Sequence, residues 1–377
     1  MNILHVSLWP IDRKSIGGTE KYIICLSSAL KELSIDNEVL MLSGKETTIN
    51  KVHYIPLSLS SIKKLDEYSI KKIFFNKFNI KALQEFAKKI ESDFDFSKYD
   101  IIHFNSLLFY FCAFNKKRIF TIHINQIGFE QNWGKNSFGI ISKIIRNDKD
   151  SKTAFIVPSK YYADDYRKKF AKKIAIIPHS LPESFSKEKM AGRKQDEDKC
   201  YLNILVPSRL EIKQKGQDLL LESLSIIKNK LPKYKLILAG IDRQYKPNVM
   251  ILKKVAKKLG IDLVFQKLRM EEMKNAYDRA DLIVLPSRYE SFGYAALESL
   301  TLGKKTVLSD IPTHKEIALG NKYAFMEGNN PILLGKAILK AINSNYRGQI
   351  DKRWIKRYSN NHWISKNIKF YKSCISK

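Results

Sequence analysis

Several things are scarce in this 377-residue chain, and each scarcity removes a class of protein. Cysteine occurs four times, at Cys25, Cys112, Cys200 and Cys374, far apart and with no C-x-x-C pair, which argues for reduced thiols in a cytosolic compartment. The longest apolar run, LLFYFCAF at 107–114, has eight residues, against the roughly 18 to 20 that a membrane-spanning helix needs. The opening MNILHVSLWP carries no basic n-region or cleavage site and reads as a strand, so no secretory signal is expected. Helix-turn-helix, zinc-finger and RNP-type signatures are absent, which speaks against a nucleic-acid binder. Acidic residues are few: 38 Asp plus Glu stand against 67 Lys plus Arg, a net charge of +29.

A hydrophobic fraction of 44% with 11% aromatics is what packed domains need, and the length suits two of them. Only 13 of the basic residues are Arg, and two stretches concentrate the charge. Residues 61–90 hold eight Lys interleaved with Tyr68, Phe74, Phe75, Phe78 and Phe86. Residues 333–377 hold eight Lys and three Arg against Asp351 alone, with Trp354, Tyr358, Trp363, Phe370 and Tyr371. Basic helices with bulky aromatics suit an anionic membrane surface. Aromatics buried under a solvated lysine face would produce the same pattern.

Short apolar runs alternate with helical patterns, the signature of strand-helix units around parallel sheets. Strands are expected at 3–8, 38–43, 52–56, 101–105, 119–123, 154–157 and 174–177, then at 202–206, 235–239, 263–266, 282–285 and 306–309. Residues 183–200 (ESFSKEKMAGRKQDEDKC) are charged and aperiodic and read as a linker. The fold class is therefore α/β, with two doubly wound Rossmann-like domains at 1–182 and 201–345 and a basic helical segment at 346–377 expected to pack back on the first. Ligands of such sheets bind at the carboxyl ends of strands, so a central cleft between the domains is the expected site.

Three segments fall at such strand ends. Gly17-Gly18-Thr19-Glu20 opens a helix after the first strand, where paired glycines and unpaired N–H groups can meet an anion. It is not the G-x-G-x-x-G fingerprint, which disfavours a dinucleotide cofactor. SRLEIKQKG at 208–216 puts Arg209 and Lys215 after the first strand of the second domain, two cations able to neutralise a diphosphate. In the segment 281–310, Glu290-Ser291-Phe292-Gly293 precedes a helix starting near Tyr294, with Glu298 about one turn inside it. Loop and helix-start amides can hold phosphate there, and a carboxylate eight positions after Glu290 can accept hydrogen bonds from paired hydroxyls.

With DIIHFN at 100–105, TIH at 121–123, IVPSKY at 156–161 and IIPHSLP at 176–182, these segments form an ordered set over nearly the whole chain. The set resembles the retaining glycosyltransferases of the GT-B fold, specifically glycosyltransferase family 4. The resemblance implies a nucleotide-sugar donor, with Arg209 and Lys215 on its diphosphate, Glu298 on the ribose and Glu290 facing the sugar. The amides of Ser291, Phe292, Gly293 and Tyr294 would meet phosphate and sugar, while His123, Gly17 and Gly18 close the first-domain side. Glu290, His123, Arg209 and Lys215 are thus the candidate catalytic residues. It further implies a glycan or lipid-linked acceptor, no metal or other cofactor, no nucleic acid, and a cytoplasmic protein peripheral to the inner face of the membrane. Front-face attack and double displacement both remain open, Glu290 being the motif candidate for a nucleophile.

The chain departs from that family at three places. His179-Ser180 replaces the frequent Asn-Gly, the turn at 239–242 lacks a second glycine, and Lys213 competes with Lys215 for the cationic role. Asp93-Phe94-Asp95 follows a helix rather than a strand and is not expected to bind metal. His5, His53, His103, His314 and His362 show no ligand spacing and are expected to be satisfied core or surface residues, His103 being the one expected to border the cleft. The alternatives are a sugar-nucleotide epimerase of the same fold and a basic nucleic-acid binder.

Overall fold

A computed structural model describes residues 1–11, 17–57, 79–181, 201–240, 246–268, 270–345 and 350–376. The expected linker at 183–200, Pro182, Cys200, Ile241, Asp242 and the part of the first basic stretch at 61–78 lie outside these residues. The chain divides into two compact units, Met1–Ser180 with Asn360–Lys377, and Leu181–Ser359.

The first unit runs β1 (Ile3–Ser7), α1 (Gly18–Glu32), β2 (Asn37–Met41), β3 (Thr47–Ile49), β4 (Val52–Pro56), α2 (Ile80–Asp93), β5 (Ile101–Phe104), β6 (Lys117–Thr121), α3 (Gln126–Trp133), α4 (Ser137–Asn147), β7 (Thr153–Val157), α5 (Lys160–Phe170) and β8 (Lys173–Ile176). Its strands order as β3-β4-β2-β1-β5-β6-β7-β8. All neighbours are parallel except β3 and β4, an edge hairpin turning on Asn50 and Lys51, both with positive φ. Every residue of β1 and β5 is buried, as expected of a parallel strand covered on both faces.

The second unit runs β9 (Leu202–Pro207), α6 (Ile212–Lys215), α7 (Gln217–Ile227), β10 (Tyr234–Ala239), α8 (Lys246–Leu259), β11 (Leu263–Gln266), α9 (Met270–Arg279), β12 (Leu282–Leu285), α10 (Tyr294–Thr301), β13 (Thr306–Leu308), α11 (Pro312–Ala318), β14 (Ala324–Phe325), α12 (Pro331–Asn343) and α13 (Lys352–Arg357). Its six strands are all parallel in the order β11-β10-β9-β12-β13-β14. The order reverses between β9 and β12, so the loops leaving these two strands face one crevice. A strand lies at each expected position, and β3 and β14 are additional.

The chain then returns to the first unit as α14 (Asn360–Ile375). Whereas the sequence reading treated 346–377 as one segment, its contacts divide it. Trp354 and Tyr358 are buried in the second unit, and the Trp354 indole donates to the Ile317 carbonyl at 2.7 Å. Trp363, Ile364, Phe370 and Tyr371 instead join α1 over one face of the first sheet. Phe86 on α2 is likewise core, beside Phe109 at 6.1 Å. The aromatics of both basic stretches, where described, therefore face inward and not a lipid surface.

Because Trp363 closes the first unit's core against Tyr22 at 5.5 Å, Trp363→Ala is expected to cost about 3–5 kcal/mol. Urea titration followed by circular dichroism would read this as a lowered midpoint with an unchanged slope.

Candidate functional site

In the second unit the site is assembled by the loops leaving β9 and β12. Gly216 ends α6 and begins α7 at φ +64, and a Cβ there would run into the Pro286 carbonyl oxygen. Its absence lets the two loops touch. The Arg288 amide donates to the Gln214 carbonyl at 2.7 Å, and the Arg288 guanidinium grips both oxygens of Asp218 at 2.9 and 2.8 Å. Gly240, at φ +133 after β10, approaches the Ser208 carbonyl in the same way.

Across this junction Lys215 Nζ meets Glu290 Oε1 at 2.6 Å, and Ser287 Oγ donates to the same oxygen at 2.8 Å. Burial pulls the Glu290 carboxyl upward, but the charge of Lys215, the nearby His314 and the two hydrogen bonds outweigh it, so the group lies below its usual range. Glu290 is thus an ionised carboxylate. Lys215 keeps two further N–H donors, while Lys213 on the same turn is exposed to solvent. Arg209 is exposed beside Gln214, its Nη2 3.5 Å from Oε1.

Gly293 (φ +100) starts α10, and no side chain caps that helix. Phe292 is buried against Tyr294 and Tyr358, anchoring the loop in the core. Ser291 lies half-buried between Glu290 and this anchor. Glu298 is buried within α10 and accepts a hydrogen bond from Tyr277 Oη at 2.9 Å, and burial, with Glu298 adding to it, pushes the Tyr277 hydroxyl well above its usual range. The structure therefore brings Lys215, Glu290, Ser287, Gly293 and His314 together. Arg209 stands at their exposed margin.

In the first unit Gly17 precedes α1 and Gly18 begins it, with a Glu20 carboxylate oxygen 2.5 Å from where a Gly17 Cβ would lie. His123, two residues past β6, points Nε2 at Asn105 Oδ1 (2.9 Å), and the Asn105 amide nitrogen donates to the Val6 and His103 carbonyls. That orientation of Asn105 makes Nε2 the protonated nitrogen. His123 and His179 flank Tyr22, with ring centroids at 4.7 and 4.6 Å. His103, expected at the border of a cleft, is instead fully enclosed: Tyr371 Oη and Thr121 Oγ1 contact its two nitrogens at 2.7 and 2.6 Å.

Tyr22, Tyr277 and Ser287 were not singled out by sequence; Asn105 and His179 entered there only as motif members, and His314, expected to be a satisfied core or surface histidine, turns its Nε2 to the start of α10. His314 follows β13 as Glu290 follows β12, and that strand-end position was the available signal. Among the described residues no group of three or more His, Cys, Asp or Glu is placed to hold a metal ion. Asp95 is occupied by Ser97 in a local turn. Cys112 and Cys374 are free thiols.

Two parallel-sheet units of this kind define the GT-B fold. A glucose- and UDP-bound structure of Anabaena Alr3699/HepE has the same fold, with a TM-score of 0.72 over 99% of this chain and 100% of that one at 14% identity. Two family models match in tandem, Glycosyltransferase Family 4 over residues 16–184 and Glycosyl transferases group 1 over residues 187–360, and the chain belongs to this glycosyltransferase family. Among curated relatives, mannosylfructose-phosphate synthase of Agrobacterium fabrum is 35% identical over 102 residues, 25% of this chain. GDP-mannose:cellobiosyl-diphosphopolyprenol alpha-mannosyltransferase of Xanthomonas oryzae is 22% identical over 221 residues, 48% of this chain. The matches span 22% and 58% of those two relatives' own lengths.

Burial lowers His5 and His123 to about 3 and His314 to about 4, and pushes His103 and His179 well below their usual value of 6.5. A histidine depressed on folding binds its proton more readily when unfolded, so stability falls as pH drops below 6.5 toward the folded value. Each such group adds a slope of up to about 1.4 kcal/mol per pH unit. The urea midpoint is therefore expected to fall steeply from pH 6.5 to 4. His5→Phe replaces a ring whose two buried nitrogens lack hydrogen-bond partners among the described residues, and it should flatten that fall.

Proposed function

We propose that the protein is a retaining, metal-independent hexosyltransferase that moves a sugar from a nucleoside-diphosphate donor to a lipid-linked or cell-surface glycan. The observation that carries this reading is the ionised Glu290 held on Lys215 beside the uncapped start of α10, at the point where the strand order reverses. A cation and oriented amides there suit a diphosphate leaving group, and a carboxylate suits sugar hydroxyls. Glu298, which accepts a hydrogen bond from Tyr277 one turn along the helix, would bind the ribose hydroxyls. Arg209 supplies a second cation to the diphosphate from the exposed side.

In the reaction the bond from the anomeric carbon to the diphosphate oxygen breaks and the acceptor oxygen bonds to the same face. The acceptor's proton passes to the departing phosphate, which leaves as the nucleoside diphosphate. Lys215 and the amides of Ser291 to Tyr294 offset the charge that grows on that oxygen. His123, whose pKa lies near 3, is too weak a base to take the proton at neutral pH and orients a hydroxyl instead, together with the start of α1 at Gly17 and Gly18. The name of the Xanthomonas oryzae relative supports the donor and acceptor classes, and the UDP and glucose in the Alr3699/HepE structure support the donor class.

A thermal-shift screen against nucleoside diphosphates and their sugars tests the donor class. One base should raise Tm, and Lys215→Ala should abolish the shift; no response to any nucleotide would sink the reading. Glu298→Ala is expected to raise the donor KM about tenfold, the scale of a lost charge-assisted hydrogen bond, with a smaller change in kcat.

Docking to an anionic membrane rests on charge, since the described aromatics are buried. No helix among the described residues is long and apolar enough to cross a bilayer. Flotation with anionic vesicles should succeed at low salt and fail at high salt, because screening removes surface attraction. Absence of binding at low salt would exclude docking.

A further inference from the structure

One polar atom beside Glu290, Nε2 of His314, makes no hydrogen bond to another described residue. His314 on α11 is buried, and its Nδ1 lies 3.1 Å from both Ser309 Oγ and the Ser309 carbonyl oxygen. Ser309 Oγ gives its only proton to the Ser287 carbonyl. Both neighbours of Nδ1 can then act only as acceptors, so Nδ1 carries the ring proton. With the ring neutral near pH 7, its pKa lowered to about 4 by burial, Nε2 is left as a bare lone pair. No donor among the described residues reaches that nitrogen.

Nε2 faces the start of α10: it lies 3.7 Å, and Cδ2 3.6 Å, from the place a Gly293 Cβ would occupy. Glycine at 293 keeps that space open, and its left-handed backbone favours no other residue. The group with which His314 shares its surroundings is Glu290, each perturbing the other's proton affinity. An acceptor that the protein leaves unmet discriminates for a ligand that brings a donor.

We propose that His314 Nε2 accepts a hydrogen bond from a hydroxyl of the donor's sugar, which makes His314 a specificity-determining residue for the transferred sugar rather than for the nucleotide. The assignment rests on the donor site proposed above. Glu290 and His314 would then present two acceptors of different geometry, a carboxylate and an imidazole, to neighbouring hydroxyls.

Two variants separate this role from a structural one. Asparagine at the position, His314→Asn, keeps an N–H near Ser309 and removes the distal acceptor; His314→Gln keeps a distal oxygen and gives up the bond to Ser309. Calorimetry with the nucleoside diphosphate and with the nucleotide sugar found by screening, followed by initial rates, supplies the readout. His314→Asn should lower kcat/KM for the nucleotide sugar roughly five- to tenfold, the scale of one hydrogen bond, while the diphosphate alone binds within about twofold of wild type. His314→Gln should retain most of the activity. A deoxy-sugar donor lacking the partnered hydroxyl should be used equally by wild type and His314→Asn. If His314→Gln is the impaired variant and His314→Asn behaves as wild type, the ring serves only Ser309 and the assignment is wrong. A wild-type protein that binds no nucleotide at all would overturn the donor site itself, and this assignment with it.

Discussion

The second unit's chemistry depends on a close approach of backbone to backbone at Gly216. With any side chain there the loop after β9 would be held off the Pro286 carbonyl, and the junction made by Arg288, Asp218 and Gln214 would open. Lys215 and Glu290 are neighbours only because that junction is closed. An ion pair this buried is costly to assemble and poor evidence of stability in itself. Its value is positional, since it keeps a carboxylate charged in a place where burial alone would favour the neutral acid.

The same physics runs in the opposite direction on the first sheet. His5, His103, His123 and His179 gather on one face around Tyr22, roofed by α1 and α14, and burial holds all four neutral. A neutral imidazole offers one donor and one acceptor, so its use is set by whichever partner fixes the proton. Asn105 fixes it for His123 as Ser309 does for His314. Each unit thus carries a neutral histidine whose ring proton is fixed by a neighbouring side chain or carbonyl.

Much of this was readable in the residues. Fully buried parallel strands write continuous apolar runs, and the positions of GGTE, SRLEIKQKG and the Glu290–Glu298 segment at strand ends followed from them. Two strands escaped because β3 has three residues and β14 two, too short to show alternation, and the β3 hairpin turns on Asn50-Lys51 without a glycine. The partner of Lys215 escaped for a different reason. Glu290 lies 75 residues away and becomes adjacent only through the pairing of β9 with β12, a relation of sheet order that no spacing expresses. The same fact hid Tyr277, and it hid the nearness of His314 to Glu290. The aromatics of the basic tail could be read either way until their burial was known.

The return of α14 to the first unit also orders events in time. His103 finds Tyr371 across 268 positions of sequence, and the second unit is encoded almost entirely between them. During synthesis β1, β5 and β6 are made long before α14, so the face that carries Ile3, Ile101 and Ile119 lacks that part of its cover until residue 375 has been added. Domains usually complete themselves in the order they are made. Here the first to be translated is the last to be sealed, so a nascent chain carries an apolar surface through the whole synthesis of the second unit.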